Sequence, residues 1–321
     1  MVNTEFMIQN ECRVMMKFVQ NVPLAVSGLA LGLAALGNLL LPLGVGVRYF
    51  CGVLSAVVLT CFVLRVVMDF SKVREEWKTS GPLSVLPTST MAFMILCTYL
   101  RPYFGVVMVF LWYGAVVMHI FIMAVFFKRF IIGFKIENVF PSWFVVFVGI
   151  VTVSVTAPIM DTRVVGQIAF YIGFPLYFVA LCLIIYRLTR PIPVPEPLRL
   201  TTAIFTAPMS LCIVGYFSSF DVQNEYLVYM LLCLATVSYI FVFFKMVTEY
   251  LRVKFYPTYS AFTFPFVISA TAFRIGNLYL AERGITFFAP VAEISMWIAV
   301  AAVTYVLIHY LKYFWDVMKS N

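Results

Sequence analysis

The chain has 321 residues, of which 63% are hydrophobic and 11% charged, and its formal net charge is +8. A soluble domain has about a quarter of its residues charged, so this composition excludes a soluble enzyme or nucleotide-binding module and points to a bilayer. The cationic excess is not the footprint of a nucleic-acid binder, because its placement follows the apolar segments.

The first twenty residues contain Glu5, Asn10, Glu11, Arg13 and Lys17, which interrupt any apolar run. They read as a short amphipathic segment rather than a cleavable signal. Residues 1–21 are expected to be a cytoplasmic N-terminal segment, 22–313 a single transmembrane domain and 314–321 a cytoplasmic tail.

Apolar stretches long enough to cross a membrane follow near 22–42, 46–70, 83–100, 104–129, 141–160, 163–188, 198–219, 224–250, 258–281 and 287–313. Crossing the hydrocarbon core takes about 20 such residues in a helix. Alternate spans are opened by Pro23, Pro82, Pro141, Pro197 and Pro257, at intervals of 59, 59, 56 and 60 residues. Proline suits a first helical turn, where its missing N–H would be unpaired anyway. A period of that length with two spans per unit predicts an all-α protein of ten transmembrane helices, arranged as five tandem hairpins around a central pore.

The two spans of each unit differ. Odd spans carry small residues and breakers: Gly28, Gly32 and Gly37, then Gly149, then Pro208 and Gly215, then Pro265. Small residues permit close helix approach, and irregular backbone is tolerated in a membrane only where it is buried or lines a cavity. The odd spans are therefore expected inside and the bulkier even spans toward lipid. Three even spans end in a cation four residues before an acid: Arg65–Asp69, Lys245–Glu249 and Lys312–Asp316. These read as interfacial anchors on one helix face.

If the N-terminus is inside, seventeen Lys and Arg fall on the inner side and four (Arg48, Arg101, Arg163, Arg283) on the outer side, with Arg274 within a span. That bias predicts cytoplasmic termini and a multi-pass protein of the plasma or inner membrane.

Signals for catalysis are sparse. The chain lacks an HExxH pair and a phosphate-binding GxxxxGK[ST] loop, its seven cysteines show no CxxC spacing, and neither a metal nor a cofactor is expected. His119 and His309 stand alone on even spans and read as hydrogen-bonding residues. Arg274 and Glu293, near the outer ends of spans nine and ten, read as a structural intramembrane ion pair. Five odd helices starting on one side would aim five positive dipole ends at the cytoplasmic mouth, a field that gathers anions. In span nine, Phe262 and Phe264 stand just before Pro265 as apolar candidates for plugging a narrow path by excluding water.

Three segments carry a resemblance to a known family. They are Gly28-Leu-Ala-Leu-Gly32-Leu-Ala-Ala-Leu-Gly37 in span one, Phe205-Thr-Ala-Pro208 in span seven and Ala261-Phe-Thr-Phe264-Pro265 in span nine. In that order and spacing the chain resembles the tellurite-resistance/dicarboxylate transporter family, which takes in bacterial TehA and the plant slow-type anion channels. The resemblance implies odd helices around a pore, with Gly28, Gly32, Phe205, Pro208 and Pro265 as lining candidates. It implies a phenylalanine gate at Phe264, with Phe262 as the competitor, and a homotrimeric assembly. Small inorganic or organic anions and the lipid bilayer are the partners expected; nucleic acid is not. Two activities stay open: an anion channel, or a proton-coupled transporter of C4-dicarboxylates, sulfite or tellurite-type oxyanions.

Overall fold

Local chemistry fixes where each helix starts and stops. In the computed structural model, which describes residues 16–319, the ordered chain is helical and no strand occurs among the described residues. The amphipathic segment expected at the N-terminus lies, up to residue 15, outside the described residues. We number the main helices α1 (Val26–Leu39), α2 (Val45–Met68), α3 (Pro87–Phe104), α4 (Val106–Phe126), α5 (Trp143–Val148) and α6 (Val151–Thr156). There follow α7 (Arg163–Leu188), α8 (Ala207–Ser219), α9 (Glu225–Thr248), α10 (Phe264–Ala281) and α11 (Ala289–Lys319).

Among the described residues eight helical stretches are long and apolar enough to cross a membrane, and two shorter apolar ones cover Val26–Leu39 and Val151–Met160. The first and fifth expected spans are therefore shorter than their apolar runs suggested. In the first, Pro42 draws the chain into a 3-10 turn, Leu41–Leu43. The fifth is cut at Gly149 and Ile150 into α5 and α6. The last helix runs on to Lys319, so no structural boundary falls at residue 313.

Proline shapes α3, α8 and α10 in the same way. Each has proline in its first turn (Pro87, Pro208, Pro265), preceded by a shorter segment: Ser80–Val85, Leu200–Thr206 and Pro257–Phe262. Proline cannot donate to the preceding turn, so the helix begins anew at that point. Before α8 the orphaned carbonyl of Ile204 is recovered by the N–H of Ala207 in a tighter 3-10 bond. At the other ends, α2 is entered through Gly44 at φ 136° and α4 through Gly105 at φ 50°, values that favour glycine. The turn before α7 uses Asp161 at φ 59°, which a short polar side chain tolerates.

Packing sorts the helices into two sets. The stretches 80–104, 196–219 and 257–281 bury 72, 83 and 67% of their most apolar windows, whereas those of α2, α4, α7, α9 and α11 bury 22–33%. The buried set closes on itself: α1 touches α3, α3 touches α6, α6 touches α8, α8 touches α10, and α10 returns to α1. Each exposed helix packs on the buried ones: α2 against α1 and α3, α4 against α3 and α5, α7 against α6 and α8, α9 against α8 and α10, α11 against α10 and α1.

Hydrogen bonds between units follow the sequence period. Ser27 and Thr88 share one at 2.7 Å, Ser84 donates to Ser142 at 2.6 Å, Ser210 and Ser269 meet at 3.0 Å, and Thr258 donates to the Pro197 carbonyl at 2.7 Å. Thr263 Oγ1 closes the series onto the Gly28 carbonyl at 2.9 Å, across 235 positions. On the opposite face Arg101 pairs with Asp161 at 2.9 Å and Arg163 with Asp221. Of the three anchor pairs, Arg65–Asp69 (2.6 Å) and Lys245–Glu249 (2.5 Å) form, while Lys312 and Asp316 remain apart on an exposed face.

Candidate functional site

Where the inner helices break, they leave space between them. A cavity of about 60 Å³ is lined by Gly28 and Leu31 of α1, Thr88 and Met91 of α3, Phe144 and Val148 of α5, Pro208 and Leu211 of α8, and Phe264 and Pro265 of α10. Gly149, at the break between α5 and α6, also lines it. Toward the end of the molecule where Asn21 and Tyr313 lie, this cavity shares Ala25, Val85, Thr201 and Thr258 with a vestibule of about 350 Å³. On the other side lies an outer cavity of about 70 Å³, lined by Asn38, Thr98, Thr152, Ile268 and Thr271 among others. The central and outer cavities have just two lining residues in common, Phe264 and Leu211.

The electrostatics change along this line. The vestibule carries Arg65 and Glu76, joined at 2.9 Å, with Asp69 on the other side of the guanidinium at 2.6 Å. Among the described residues no charged side chain lines the central or the outer cavity. Instead, the N-terminal turns of α3, α8 and α10 border the central cavity through Thr88, Pro208, Phe264 and Pro265. Helix N-termini carry positive partial charge, which favours anions and disfavours cations. The threonine hydroxyls there are already donating: Thr88 to Val85, Thr201 to Leu198 and Thr258 to Pro197, all to carbonyls at 2.6–2.7 Å. A solute in this cavity therefore meets dipoles and apolar walls rather than a fixed coordinating shell.

The residues singled out from the sequence separate on inspection. Gly28, Pro208, Pro265 and Phe264 line the central cavity. Phe262 does not. It points between α9 and α11, stacked on Phe266 at 6.2 Å and against Tyr250 and Tyr259, and it lines an apolar cleft with Tyr305 and Ile298. Phe262 ends the 3-10 segment Pro257–Phe262 and stands two residues before Phe264, which in any helical turn puts the two side chains about 200–240° apart. Phe205 also faces outward, edge-on to Phe144 and Phe241. Gly32 is a packing position: a Cβ there would lie 2.5 Å from that of Thr263.

The expected pairing of Arg274 with Glu293 is not formed. Arg274 donates to the Leu39 carbonyl at 3.3 Å, capping the end of α1, and Glu293 accepts from Trp297 Nε1 at 2.9 Å one turn along its own helix. Helix α11 packs on α10 through Ser295, Ala299 and Val303, which leaves Glu293 on the exposed side. His119 is fully buried, with Nδ1 2.8 Å from Thr90 Oγ1, behind Met91 and Gly149. His309 lies against Tyr305 and Phe255. Among the described residues no three His, Cys, Asp or Glu side chains are grouped as a metal site requires, and the described cysteines are free thiols. The sequence reading missed Leu211, Asn38 and Thr152; only the 3.6-residue spacing Leu211–Gly215 and Phe264–Ile268 on breaker-rich helices pointed toward the first.

These features define a multi-pass membrane protein whose inner helices surround a line of cavities. A family model described as voltage-dependent anion channel matches residues 21–311, nearly the whole chain, and the protein belongs to that family. Anion transport is the activity this membership carries, in agreement with the tellurite-resistance and slow anion channel resemblance of its motifs. Comparison with curated proteins finds no match.

Proposed function

We propose that the protein is an anion channel whose path runs through the vestibule, the central cavity and the outer cavity, closed between the last two by Phe264 with Leu211 beside it. In this reading the ten spans form five hairpins, the odd members of which enclose the path, and residues 22–313 act as one membrane domain. The observation that carries it is that, among the described residues, Phe264 and Leu211 alone line both cavities, at the point where α10 begins anew with Pro265 in its first turn. An apolar ring at such a constriction holds a path shut by sterics and by excluding water. Anion preference follows from the helix N-termini at the central cavity and from the absence of acidic lining there.

Replacing Phe264 with alanine in purified, reconstituted protein is expected to raise anion conductance, with the relative permeability of different anions unchanged. Phe110→Ala, on the exposed face of α4, should leave conductance at the wild-type level. Wild-type conductance in a folded Phe264→Ala protein would sink the gate.

The alternative of a proton-coupled carrier needs a titratable group on the path; among the described residues the one carboxylate lining it, Glu76 of the vestibule, is tied to Arg65, and no acid or histidine lines the central or outer cavity. The central space, about 60 Å³, has room for about two waters, which suits a halide- or nitrate-sized anion better than a dicarboxylate. Anion flux that depends on an imposed proton gradient would favour the carrier instead.

A further inference from the structure

We infer that the outer cavity contains a resting site for a small monovalent anion, formed by the hydroxyl of Thr152 and the side-chain amide of Asn38. The inference rests on reading the cavities as a permeation path. Four threonines line this space of about 70 Å³: Thr98, Thr152, Thr156 and Thr271. Three of their hydroxyls are committed to backbone carbonyls, Thr98 to Ile95 at 2.6 Å, Thr156 to Thr152 at 2.8 Å and Thr271 to Val267 at 2.9 Å.

Thr152 is different. It is fully buried, and its hydroxyl has no hydrogen-bond partner. It stands in the first turn of α6, just past the break, where its own N–H bonds the Gly149 carbonyl at 3.0 Å. A buried donor without a partner is costly to keep, and its presence on a cavity wall calls for a ligand that accepts.

Asn38 supplies the second donor. Its Oδ1 accepts from Arg48 Nε at 2.9 Å, so the acceptor half of the amide is occupied and the Nδ2 hydrogens remain for the cavity. Arg48 thus acts as a positioning residue. It is held over the Tyr99 ring at 4.3 Å and has no carboxylate partner among the described residues. Arg274, bonded to the carbonyl of the next residue, Leu39, adds a second cation without an acidic partner among the described residues. The two guanidiniums lie behind the wall rather than in it, and a cation entering here would find the amide oxygen already engaged, whereas an anion meets a free hydroxyl and a free amide. The site is neutral in its own ligands and so binds weakly, which lets an ion leave as readily as it arrives. A divalent anion would find no charge in the wall to neutralise it.

Two measurements test the site. The first is thermal melting of detergent-solubilised full-length protein as gluconate is replaced by chloride at fixed ionic strength, which reads binding without conduction. Chloride should raise the melting temperature of wild type and of Thr152→Ser, which keeps the hydroxyl. It should have little effect on Thr152→Val. Thr98→Val, which removes a hydroxyl already engaged, should retain the chloride response. The second is chloride current in the Phe264→Ala background, where Thr152→Val should raise the half-saturating chloride roughly three- to tenfold, the range spanned by one hydrogen bond.

The inference is overturned if Thr152→Val matches wild type in both measurements, or if Thr98→Val shifts them equally. A chloride response abolished by Thr152→Val, together with no current in Phe264→Ala, would support the site and sink the permeation path.

Discussion

At Gly32 the structure depends on a missing methyl group. A Cβ there would sit 2.5 Å from Thr263 Cβ and 3.0 Å from the Phe264 nitrogen, so α1 and α10 touch through backbone at the residue that precedes the gate. Gly32→Ala should therefore cost about 1–3 kcal/mol through overpacking, seen as a lower melting temperature in detergent. Phe262→Ala should cost more, roughly 3–5 kcal/mol, because it empties a buried aromatic cluster, yet it should not open the path. The sequence could place both phenylalanines beside Pro265 but could not say which faced inward. Residues two apart fall on roughly opposite faces in either kind of turn, so the spacing separates the two without saying which faces inward, and the six residues before Thr263 follow a 3-10 turn. Arg274 and Glu293 were misread for a related reason. Nearness in a hairpin says nothing of rotation, and backbone acceptors such as the Leu39 carbonyl leave no trace in a sequence.

Among elements, the sorting of inner from outer helices was legible, because small residues and breakers mark one set and bulky apolar residues the other. The breaks themselves were legible as prolines and glycines. Their outcome was not, since the expected kinks are restarts: 3-10 segments that end where a new α-helix begins. The contacts that join neighbouring units follow the sequence period but differ in worth. Ser219 is buried and donates to the Ser154 carbonyl at 2.7 Å, so Ser219→Ala should cost about 1 kcal/mol. Two residues on, the Asp221 side chain is 77% exposed where it meets Arg163, and Asp221→Asn should change stability by less than about 0.5 kcal/mol. Equal losses in thermal melts of the two variants would contradict this ranking.

For the whole molecule, orientation follows from charge. Seventeen Lys and Arg against four, with the vestibule and its Arg65 on the richer side, place both chain ends in the cytoplasm in our proposal. A reporter fused after Asn321 should accordingly be read inside the cell, and an outside signal would reverse the direction of the path. Family resemblance further suggests three copies working side by side, each with its own path. Crosslinking in native membranes that stops at the monomer would argue against that assembly.

The circuit of inner helices has a seam where α10 meets α1, yet this seam is bonded like the other joints. Tyr313 donates to the Asn21 carbonyl at 3.0 Å, and Phe18 packs on Phe314 with ring centroids 4.9 Å apart. The first and last described turns thus lie next to each other. A circle has no privileged starting point, so the order in which translation delivers the units need not be the order the finished molecule requires. A circular permutant that joins the natural ends through a flexible linker and opens between Pro193 and Val194, in the exposed connection after α7, should insert and carry anions like the parent. Failure of that permutant to assemble would mean that the first unit must enter the membrane first, as a template on which the later ones are laid.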